Sequence, residues 1–568
     1  MDRSARTSSC VNKFFQVINQ ANLGIISSSE DALQRTRVKD GDIMIFNYIF
    51  NRIKDKSSAS RRADAAQAPV GVFLTAAENE SFLKGRFLNS SDFKTRIFTF
   101  KGPGGKNEKA LLAFMDGLTD SAVINDSIIK PLMHGLRNFT PAGMGPKSKV
   151  ERINDVLLSV GEIETAADLD TAISGILNGD CAMFVEGCTE CTIISSKGFE
   201  KRGVEQPSYD ISMRGPRESF NENLRTNTSL LRRRVKNSRL TFENMVVGRK
   251  TNTNLCVTYI DGLADPKLIA EIKRRIGYIN VDMILESGYI EEYIEDSPFS
   301  IFATMGLTER PDVLAGKLLE GRVGILIDGS PFALTAPYLF VEAFQNPEDY
   351  YARTTYASIV RVFRYLAFFL SILVPGLYVA LTSYHQELIP ASLLFSMSAS
   401  SEGVPFNSFT EIALFLLVFE LLKEAGIHMP KNVGQTISIV GGLVMGEAAI
   451  QAGIIGAPVV IIIAFTAVSS FVVPMLSNEV TMLRWIFLFL GGLLGGYGIS
   501  IGIICLTIHV TGIQSFGYSY FSPFFPCRPE DLKDTFIRAP LWIMRTRPAE
   551  LSPDDRTRED TPIPPDNE

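Results

Sequence analysis

The stretch VFRYLAFFLSILVPGLYVAL, residues 362–381, is apolar over the length of a membrane-crossing helix. Residues 454–474 and 483–510 have the same character. A helix of about 20 apolar residues, at 1.5 Å rise per residue, crosses the ~30 Å hydrocarbon core of a bilayer. A backbone in lipid must satisfy its own hydrogen bonds, which a helix does. A buried helix of a soluble protein is the alternative, but three such runs close together favour a membrane protein.

The composition is split along the chain. The 568 residues are 46% hydrophobic, with a mean hydropathy of +0.13 and a net charge of −6. Residues 1–350 are polar, residues 351–512 are largely apolar, and the remainder is polar again. The sequence shows no basic face that would predict nucleic-acid binding. The single CxxC, Cys188–Cys191, has no second pair and no nearby histidine, so we expect reduced thiols and no metal site.

An internal repeat organises the polar half. Asp116-Gly117 and Asp261-Gly262 each follow a strand-like run and precede a helix-like run. Further along, residues 177–187 parallel residues 319–329, with Gly179 and Gly321 suited to positive φ after a helix. We therefore predict a cytosolic α/β domain of two tandem related lobes, followed by an all-α multi-pass membrane domain.

The predicted domains follow from these patterns. They are an N-terminal extension that is partly disordered (1–65), the first lobe (66–213), a charged helical connector (214–250), the second lobe (251–350), the transmembrane domain (351–512), a cytosolic post-membrane segment (513–548) and a disordered acidic tail (549–568). The lobes could hold a small ligand in the cleft between them, or serve only as a docking scaffold. The connector helix, with Pro216 in its first turn and a basic end, is solvated or at an interface, with anionic lipid as the alternative.

Basic residues flank both ends of the membrane half, so the positive-inside rule places both ends in the cytoplasm and requires an even number of crossings. Four crossings fit: about 365–383, 409–425, 454–474 and 485–510. The short stretch 388–400 is predicted to be re-entrant. Residues 432–453 could span, but a fifth crossing would break parity, so they are assigned as a second re-entrant or tilted helix. Arg484 then lies on the outer side of the membrane, as an exception to the charge bias.

The functional prediction falls on residues 432–453. Small residues recur there every four positions and favour close helix packing, and Glu447 and Gln451 form a polar i, i+4 pair. Acidic side chains at bilayer depth usually face a polar path, and Glu411 and Glu420 are further candidates unless they lie at headgroup level. The predicted polar path is Gln435, Ser438, Val440, Val444, Glu447 and Gln451, where the valines could close it by dewetting. The predicted packing residues are Gly434, Gly442, Gly446, Gly492 and Gly496.

Several motifs resemble one family, the A subunits of bacterial spore germinant receptors (the GerA family). They are RGPRESF (214–220), LLRRRV (230–235), GKLLEGRV (316–323), DGSPFALTAP (328–337), EAFQNPEDYY (342–351), HQELIP (385–390), EAG (424–426) and ISIVGGLV (437–444). The resemblance covers about residues 66–512. It implies a nutrient sensor in the spore inner membrane, with the N-terminal domain facing the spore core. It also implies a permease-like B subunit, a lipoprotein C subunit and oligomers that release cations, with the nutrient pocket on the B subunit.

Three other functions stay open on the residues alone. A secondary transporter commonly shows a repeat within its membrane segments, whereas here the repeat is in the polar half. A membrane-tethered enzyme would need a catalytic set, but the four histidines are not clustered in the lobes. A scaffold subunit would leave conduction to its partners. We expect no enzymatic activity, no catalytic residues and no cofactor.

Overall fold

The computed structural model describes residues 70–88, 90–101, 107–134, 149–156, 162–198, 207, 214–428, 444–551 and 555–558. By its contacts the chain divides into two units, Met1–Val70 and Gly71–Glu568, and every helix and strand given below belongs to the second unit. The predicted N-terminal extension, 1–65, lies outside the described residues.

An antiparallel five-stranded sheet forms the first lobe. Its strands are Phe93–Lys101 (β1), Asn107–Met115 (β2), Ile163–Ala166 (β3), Cys181–Val185 (β4) and Cys191–Ile194 (β5), in the order β1-β2-β4-β5-β3. Its helices are Ala76–Arg86 (α1), a π-helical turn Val123–Ile129 that continues as Lys130–His134 (α2), Lys149–Val156 (α3) and Leu169–Leu177 (α4). Leu112 and Met183 of the sheet pack against Ile128 and Ile153 in one apolar core.

The second lobe follows helix Leu224–Arg234 (α5). Its strands are Leu240–Val247 (β6), Thr253–Ile260 (β7), Gly306–Thr308 (β8), Val323–Ile327 (β9) and Ala333–Ala336 (β10), and its helices are Pro266–Tyr278 (α6), Ser287–Ile294 (α7) and Pro311–Leu318 (α8). β6 pairs along its whole length with β7. The second lobe therefore begins before residue 251, and the stretch assigned to a helical connector up to residue 250 contains an edge strand.

The two sheets share one topology. The order β6-β7-β9-β10-β8 repeats β1-β2-β4-β5-β3 strand for strand. Gly179 and Gly321, each just after a helix, have φ of +94° and +93°, a conformation that glycine adopts without steric cost. The Asp-Gly turns at Gly117 and Gly262 have φ of +88° and +76°. Equivalent turns in equivalent places are what the sequence repeat predicts.

The connector helix begins later than predicted and lies at an interface, one of the two predicted alternatives. α5 has Asn223 as its N-cap, so Pro216 precedes the helix and does not occupy its first turn. Arg232, near the basic end, is not solvated: it is 1% exposed, and its Nε lies 2.9 Å from Asp92 Oδ2 of the first lobe. This buried ion pair ties the connector to the first lobe, because a carboxylate removed from water requires a close cation.

The C-terminal half is helical. Its helices are Glu348–Tyr351 (α9), Thr354–Ser383 (α10), Ala391–Ser401 (α11), Ser408–His428 (α12), 444–451 (α13), Ala457–Phe471 (α14) and Ser477–Gly512 (α15), with 3₁₀ turns at Phe340–Phe344, Gln386–Leu388, Pro474–Leu476, Leu532–Asp534 and Leu541–Ile543. Among the described residues, two helices are long and apolar enough to cross a membrane, Thr354–Ser383 and Pro474–Gly512, and Ala457–Phe471 is apolar but shorter. The predicted number of crossings stays a prediction.

The last helix is a hairpin, so the prediction of one span over 485–510 is wrong. Gly495 has φ of 61° and ψ of −141°, a backbone conformation open essentially to glycine alone. A Cβ on Gly502 would lie 2.8 Å from the ring of Phe487. A straight helix would separate these two residues by about 22 Å. α15 therefore folds back at Gly495 into two antiparallel arms of roughly 26 Å each, 477–494 and 496–512.

Contacts between the helices fix their directions. At the hairpin tip, the Tyr384 hydroxyl donates to the Gly492 carbonyl at 2.8 Å. The start of α12 lies at the same end, since a Cβ on Gly492 would be 2.5 Å from the Phe409 ring. At the other end, Lys423 Nζ donates to Ser477 Oγ at 3.0 Å. The first arm of the hairpin thus runs parallel to α10 and antiparallel to α12.

The post-membrane segment packs against the second lobe. Phe516 enters the core of that lobe, and the guanidinium of Arg275 lies 4.5 Å from the centroid of its ring. The Tyr518 hydroxyl donates to Asp265 Oδ2 at 3.2 Å. The chain therefore leaves the second lobe into α10 and returns to the same lobe after α15. We call this end of the helices the lobe-proximal end and the end at Gly495 the distal end.

Part of the predicted disordered tail, 549–568, is ordered. Thr546 and Thr557 form a β-bridge. Arg558 Nη1 lies 3.6 Å from Glu320 Oε1 of the second lobe. The prediction of disorder is therefore wrong for residues 549–551 and 555–558. Composition alone does not reveal that the second lobe provides a charged partner for the arginine of the tail.

Candidate functional site

The predicted polar path is described only in part. Val444, Glu447 and Gln451 lie on α13, and the side chains of all three are exposed on the single chain. The remaining predicted path and stripe residues lie outside the described residues; they are Gly434, Gln435, Ser438, Val440 and Gly442.

The buried face of α13 is set by a glycine. A Cβ on Gly446 would lie 3.4 Å from Val460 Cγ1 of α14 and 3.8 Å from Phe415 Cζ of α12. Gln451 Nε2 donates to Glu447 Oε1 at 3.1 Å, which closes the predicted i, i+4 pair. α13 therefore packs on its neighbours through Gly446 and presents a carboxylate and an amide outward.

Glycines also lie where α15 meets other helices. The Gly496 N–H donates to His385 Nε2 at 3.2 Å, so the imidazole caps the start of the second arm. Gly492 contacts Phe409, as described above. One such glycine was missed from the sequence: a Cβ on Gly376 in α10 would lie 2.8 Å from the carbonyl carbon of Phe487 and closer still to its oxygen. Two backbones that approach this closely leave no room for a side chain.

Both other candidate acids are engaged within the helical bundle. Glu411 is 3% exposed, and its Oε2 accepts the Gly456 N–H at 3.3 Å. Glu420 Oε1 accepts from Arg484 Nη1 at 2.9 Å. Arg484 is 1% exposed and lies between helices, within α15, so the prediction that it lies beyond the end of a span, on the outer side, is wrong. The charge bias of loops says nothing about a cation that finds a carboxylate inside the bundle.

A buried arginine joins the lobes to the membrane helices. Arg361, in the first turns of α10, is 0% exposed. Its Nη2 lies 3.0 Å from Asp349 Oδ2 in α9, and its Nη1 lies 2.7 Å from Asp534 Oδ1 in the post-membrane segment. Arg364, one turn further along, also pairs with Asp349, at 2.7 Å. The chain entering the helical bundle and the chain leaving it thus meet at one guanidinium, which we call the Arg361 junction.

The same end of the molecule carries a carboxyl group with a raised pKa. The pKa of Glu291 in α7 is raised to about 7, chiefly by burial. Neighbouring carboxylates add to the effect: Glu295, Glu286 and Glu479. Because this pKa is higher in the folded chain than in the unfolded chain, its contribution to stability is present below about pH 4.5 and is lost as the pH rises through about 7.

We therefore expect the melting temperature of the detergent-solubilised chain to fall between about pH 5 and about pH 8. Glu291→Gln should reduce that fall, because the amide stays neutral throughout. Thermal melting at several pH values measures it, and Glu292→Gln, at an exposed neighbouring position, is the control. Equal pH dependence in the native chain and Glu291→Gln would contradict this assignment.

A cleft of about 430 Å³ lies between the first lobe and α5. Its lining includes Asp116, Asp120, Arg225 and Arg233. Arg225 pairs with Asp116 across the cleft. The cleft is formed by one lobe and the connector, not by the two lobes as the sequence suggested. A ligand there stays a prediction. Among the described residues, no group of three or more His, Cys, Asp or Glu side chains is placed to hold a metal ion.

A comparison with protein families shows the family to which the chain belongs. The family model described as "Bacillus/Clostridium GerA spore germination protein" matches residues 81–550. The chain belongs to the GerA family. The resemblance noted from the sequence motifs is thereby confirmed.

Individual GerA-family relatives match over most of their length. "Spore germination protein KA" of Bacillus subtilis (strain 168) is 40% identical over 497 residues, which cover 87% of this chain and 90% of that protein. "Spore germination protein GerLA" of Bacillus cereus is 37% identical, over 80% of this chain and 91% of that protein. The crystal structure of the N-terminal domain of the A subunit of the Bacillus megaterium spore germinant receptor GerK3 is 32% identical, covering 48% of this chain and 99% of that chain, with a TM-score of 0.38.

In this GerA-family chain, sequence reasoning missed the Arg361 junction. It counted Arg361 and Arg364 only as positive charges that orient the membrane half. A usable signal was present, because arginines at i and i+3 lie on one face of a helix, and Asp349 stands just before it. The second partner, Asp534, comes from the far end of the chain and has no local signal.

Proposed function

We propose that this chain is the A subunit of a nutrient-responsive germinant receptor in the spore inner membrane, and that several copies form a cation conduit. Family membership and the names of the relatives support a role in spore germination. In this proposal the chain is not an enzyme. Its partners are a permease-like B subunit, a lipoprotein C subunit and further copies of itself.

One observation carries the conduit. Glu447 is exposed on the outside of the helical bundle, while its neighbour Gly446 packs beside Phe415 and Val460, which lie well inside their helices. A carboxylate facing lipid at that depth costs about 2.5–3.5 kcal/mol or more. The cost is relieved when copies of the chain surround a water-filled path and turn Glu447 and Gln451 toward it.

The directions of the helices support the proposed topology. α12 ends at the lobe-proximal end, whereas Gly456, at the start of α14, hydrogen-bonds with Glu411 near the distal end. His428 and Gly456 therefore lie at opposite ends of the helical bundle. With α10, α12, α14 and the two arms of the hairpin, a crossing by residues 432–453 brings the total to six, which is even, whereas a re-entrant segment would leave five. Both the lobes and the post-membrane segment then face the cytoplasm.

The Arg361 junction supports coupling between the lobes and the conduit. A rearrangement of the second lobe moves Asp349 and Asp534 together, and Arg361 passes that movement to α10. Nutrient sensed by the B subunit would reach the conduit through such a movement. The rivals predict different measurements: a secondary transporter takes up solute under a proton gradient, and a scaffold subunit leaves flux unchanged when its own membrane residues are altered.

The test is cation flux through the receptor reconstituted in liposomes, with nutrient added. Glu447→Gln should lower the flux severalfold because it removes the charge that attracts cations, and Glu447→Leu should lower it further. Ile461→Ala, at an exposed apolar position on α14, is the matched control and should conduct like the native chain.

Native flux in both Glu447 variants would remove α13 from the path. A mass measurement of the detergent-solubilised receptor provides an independent check. A single copy of this chain per particle would overturn the oligomeric conduit, because one chain that leaves Glu447 on its outside encloses no path around it.

A further inference from the structure

A proline inside the first membrane helix leaves a carbonyl without its helical donor. In an α-helix the carbonyl of residue i accepts the N–H of residue i+4. The position four residues after Ser371 in α10 is Pro375, which has no N–H. Ser371 is 0% exposed, so water does not replace the missing donor. An unsatisfied carbonyl inside a membrane bundle costs several kcal/mol, and proteins therefore supply another donor.

That donor is Arg484. Its Nε donates to the Ser371 carbonyl at 3.0 Å. The arginine stands on the first arm of the hairpin and is 1% exposed. The guanidinium suits this place because it is a rigid fork of several donors and can make this contact and a second one at the same time.

The second contact of Arg484 reaches a third helix. Its Nη1 donates to Glu420 Oε1 on α12 at 2.9 Å. One side chain therefore joins α10, α12 and the hairpin. α10 and the hairpin also approach closely beside this contact, since Gly376, next to the proline, touches the backbone of Phe487.

We propose that Ser371–Pro375 is a hinge in α10 and that Arg484 is the residue that positions it. The helix can bend there because one of its backbone hydrogen bonds is made by a side chain of another helix. Below the hinge, toward the lobes, α10 carries Arg361. Movement of the lobes then bends α10 at Pro375 against a fixed hairpin. The part of this inference that concerns gating rests on the proposed function; the replacement of the backbone hydrogen bond does not.

The first measurement concerns the hydrogen bond and is independent of conduction. The double variant Arg484→Met/Glu420→Gln removes both charges and leaves no side-chain donor at position 484 for the Ser371 carbonyl, and should lower the amount of chain in membranes severalfold. Adding Pro375→Ala to it restores an N–H for the Ser371 carbonyl and should recover much of the native amount and melting temperature. Adding Leu377→Ala, at an exposed position of the same helix, is the control and should recover nothing.

The second measurement concerns the hinge. Pro375→Ala alone should accumulate like the native chain but respond severalfold less to nutrient in the flux assay, because a complete backbone ladder stiffens α10. Leu377→Ala should respond normally. Failure of Pro375→Ala to rescue the double variant overturns the role of Arg484 as the replacement donor. A native nutrient response in Pro375→Ala overturns the hinge. The unmodified chain, measured in the same assay, tests the proposed conduit separately, because a conduit requires its flux whether or not α10 bends at Pro375.

Discussion

Replacing Gly495 with alanine is expected to prevent the last membrane helix from folding as a hairpin and to remove most of the chain from membranes. The backbone at Gly495, with φ of 61° and ψ of −141°, costs any other residue about 1–3 kcal/mol. The added Cβ would also lie 2.8 Å from Tyr384 Cγ, which forces a shift that costs about 1–3 kcal/mol more. Together these costs are a large part of the stability of a typical domain, about 5–15 kcal/mol.

The measurements are the amount of chain in membranes and the melting temperature of the detergent-solubilised chain. Gly512→Ala is the matched control: Gly512 ends the same helix, and a Cβ there would meet nothing within 4 Å. The control should behave like the native chain. If Gly495→Ala accumulates and melts like the control, the two arms do not fold back at this residue.

The lobes could be predicted from the sequence because a repeat needs no knowledge of distant contacts. Each copy carries its own strand, turn and helix signals, and the Asp-Gly turns at Gly117 and Gly262 mark equivalent corners. The hairpin could not be predicted in the same way. Glycines at close spacing indicate a helix that packs closely, and the residue that breaks the helix looks like its neighbours. Gly495 differs from Gly496 only in its backbone conformation, which its contact with Tyr384 helps to fix.

The buried charges show the same limit. Local patterns place Arg484 and Glu420 near the ends of membrane segments, where charges orient a protein or meet headgroups. Their actual roles depend on each other, since either charge alone would be costly inside the bundle. A single sequence does not indicate that two residues far apart in the chain are in contact. The sequence shows that Pro375 leaves one carbonyl without its helical donor. It does not show that Arg484 supplies the replacement donor, which only the structure reveals.

Arg361→Gln is expected to detach the post-membrane segment from the start of α10. Arg361 is fully buried, and the loss of one partner of a buried ion pair typically costs about 3–5 kcal/mol because the other charge is left uncompensated. Asp349 keeps Arg364 at 2.7 Å, so the loss falls mainly on Asp534. Hydrogen exchange of residues 513–551 should therefore become faster, and the melting temperature should fall. Arg353→Gln, at an exposed position just before α10, is the control and should change neither.

A double-mutant cycle separates the ion pair from general damage to the junction. Asp534→Asn alone should destabilise the chain, since it leaves Arg361 with one carboxylate and not two. In Arg361→Gln/Asp534→Asn no charge is left unpaired at that contact, so the combined loss should be clearly smaller than the sum of the single losses. Additive losses would show that the two residues act separately. The post-membrane segment would then be held on the second lobe by Phe516 and Tyr518. Arg361 would only link α10 to α9.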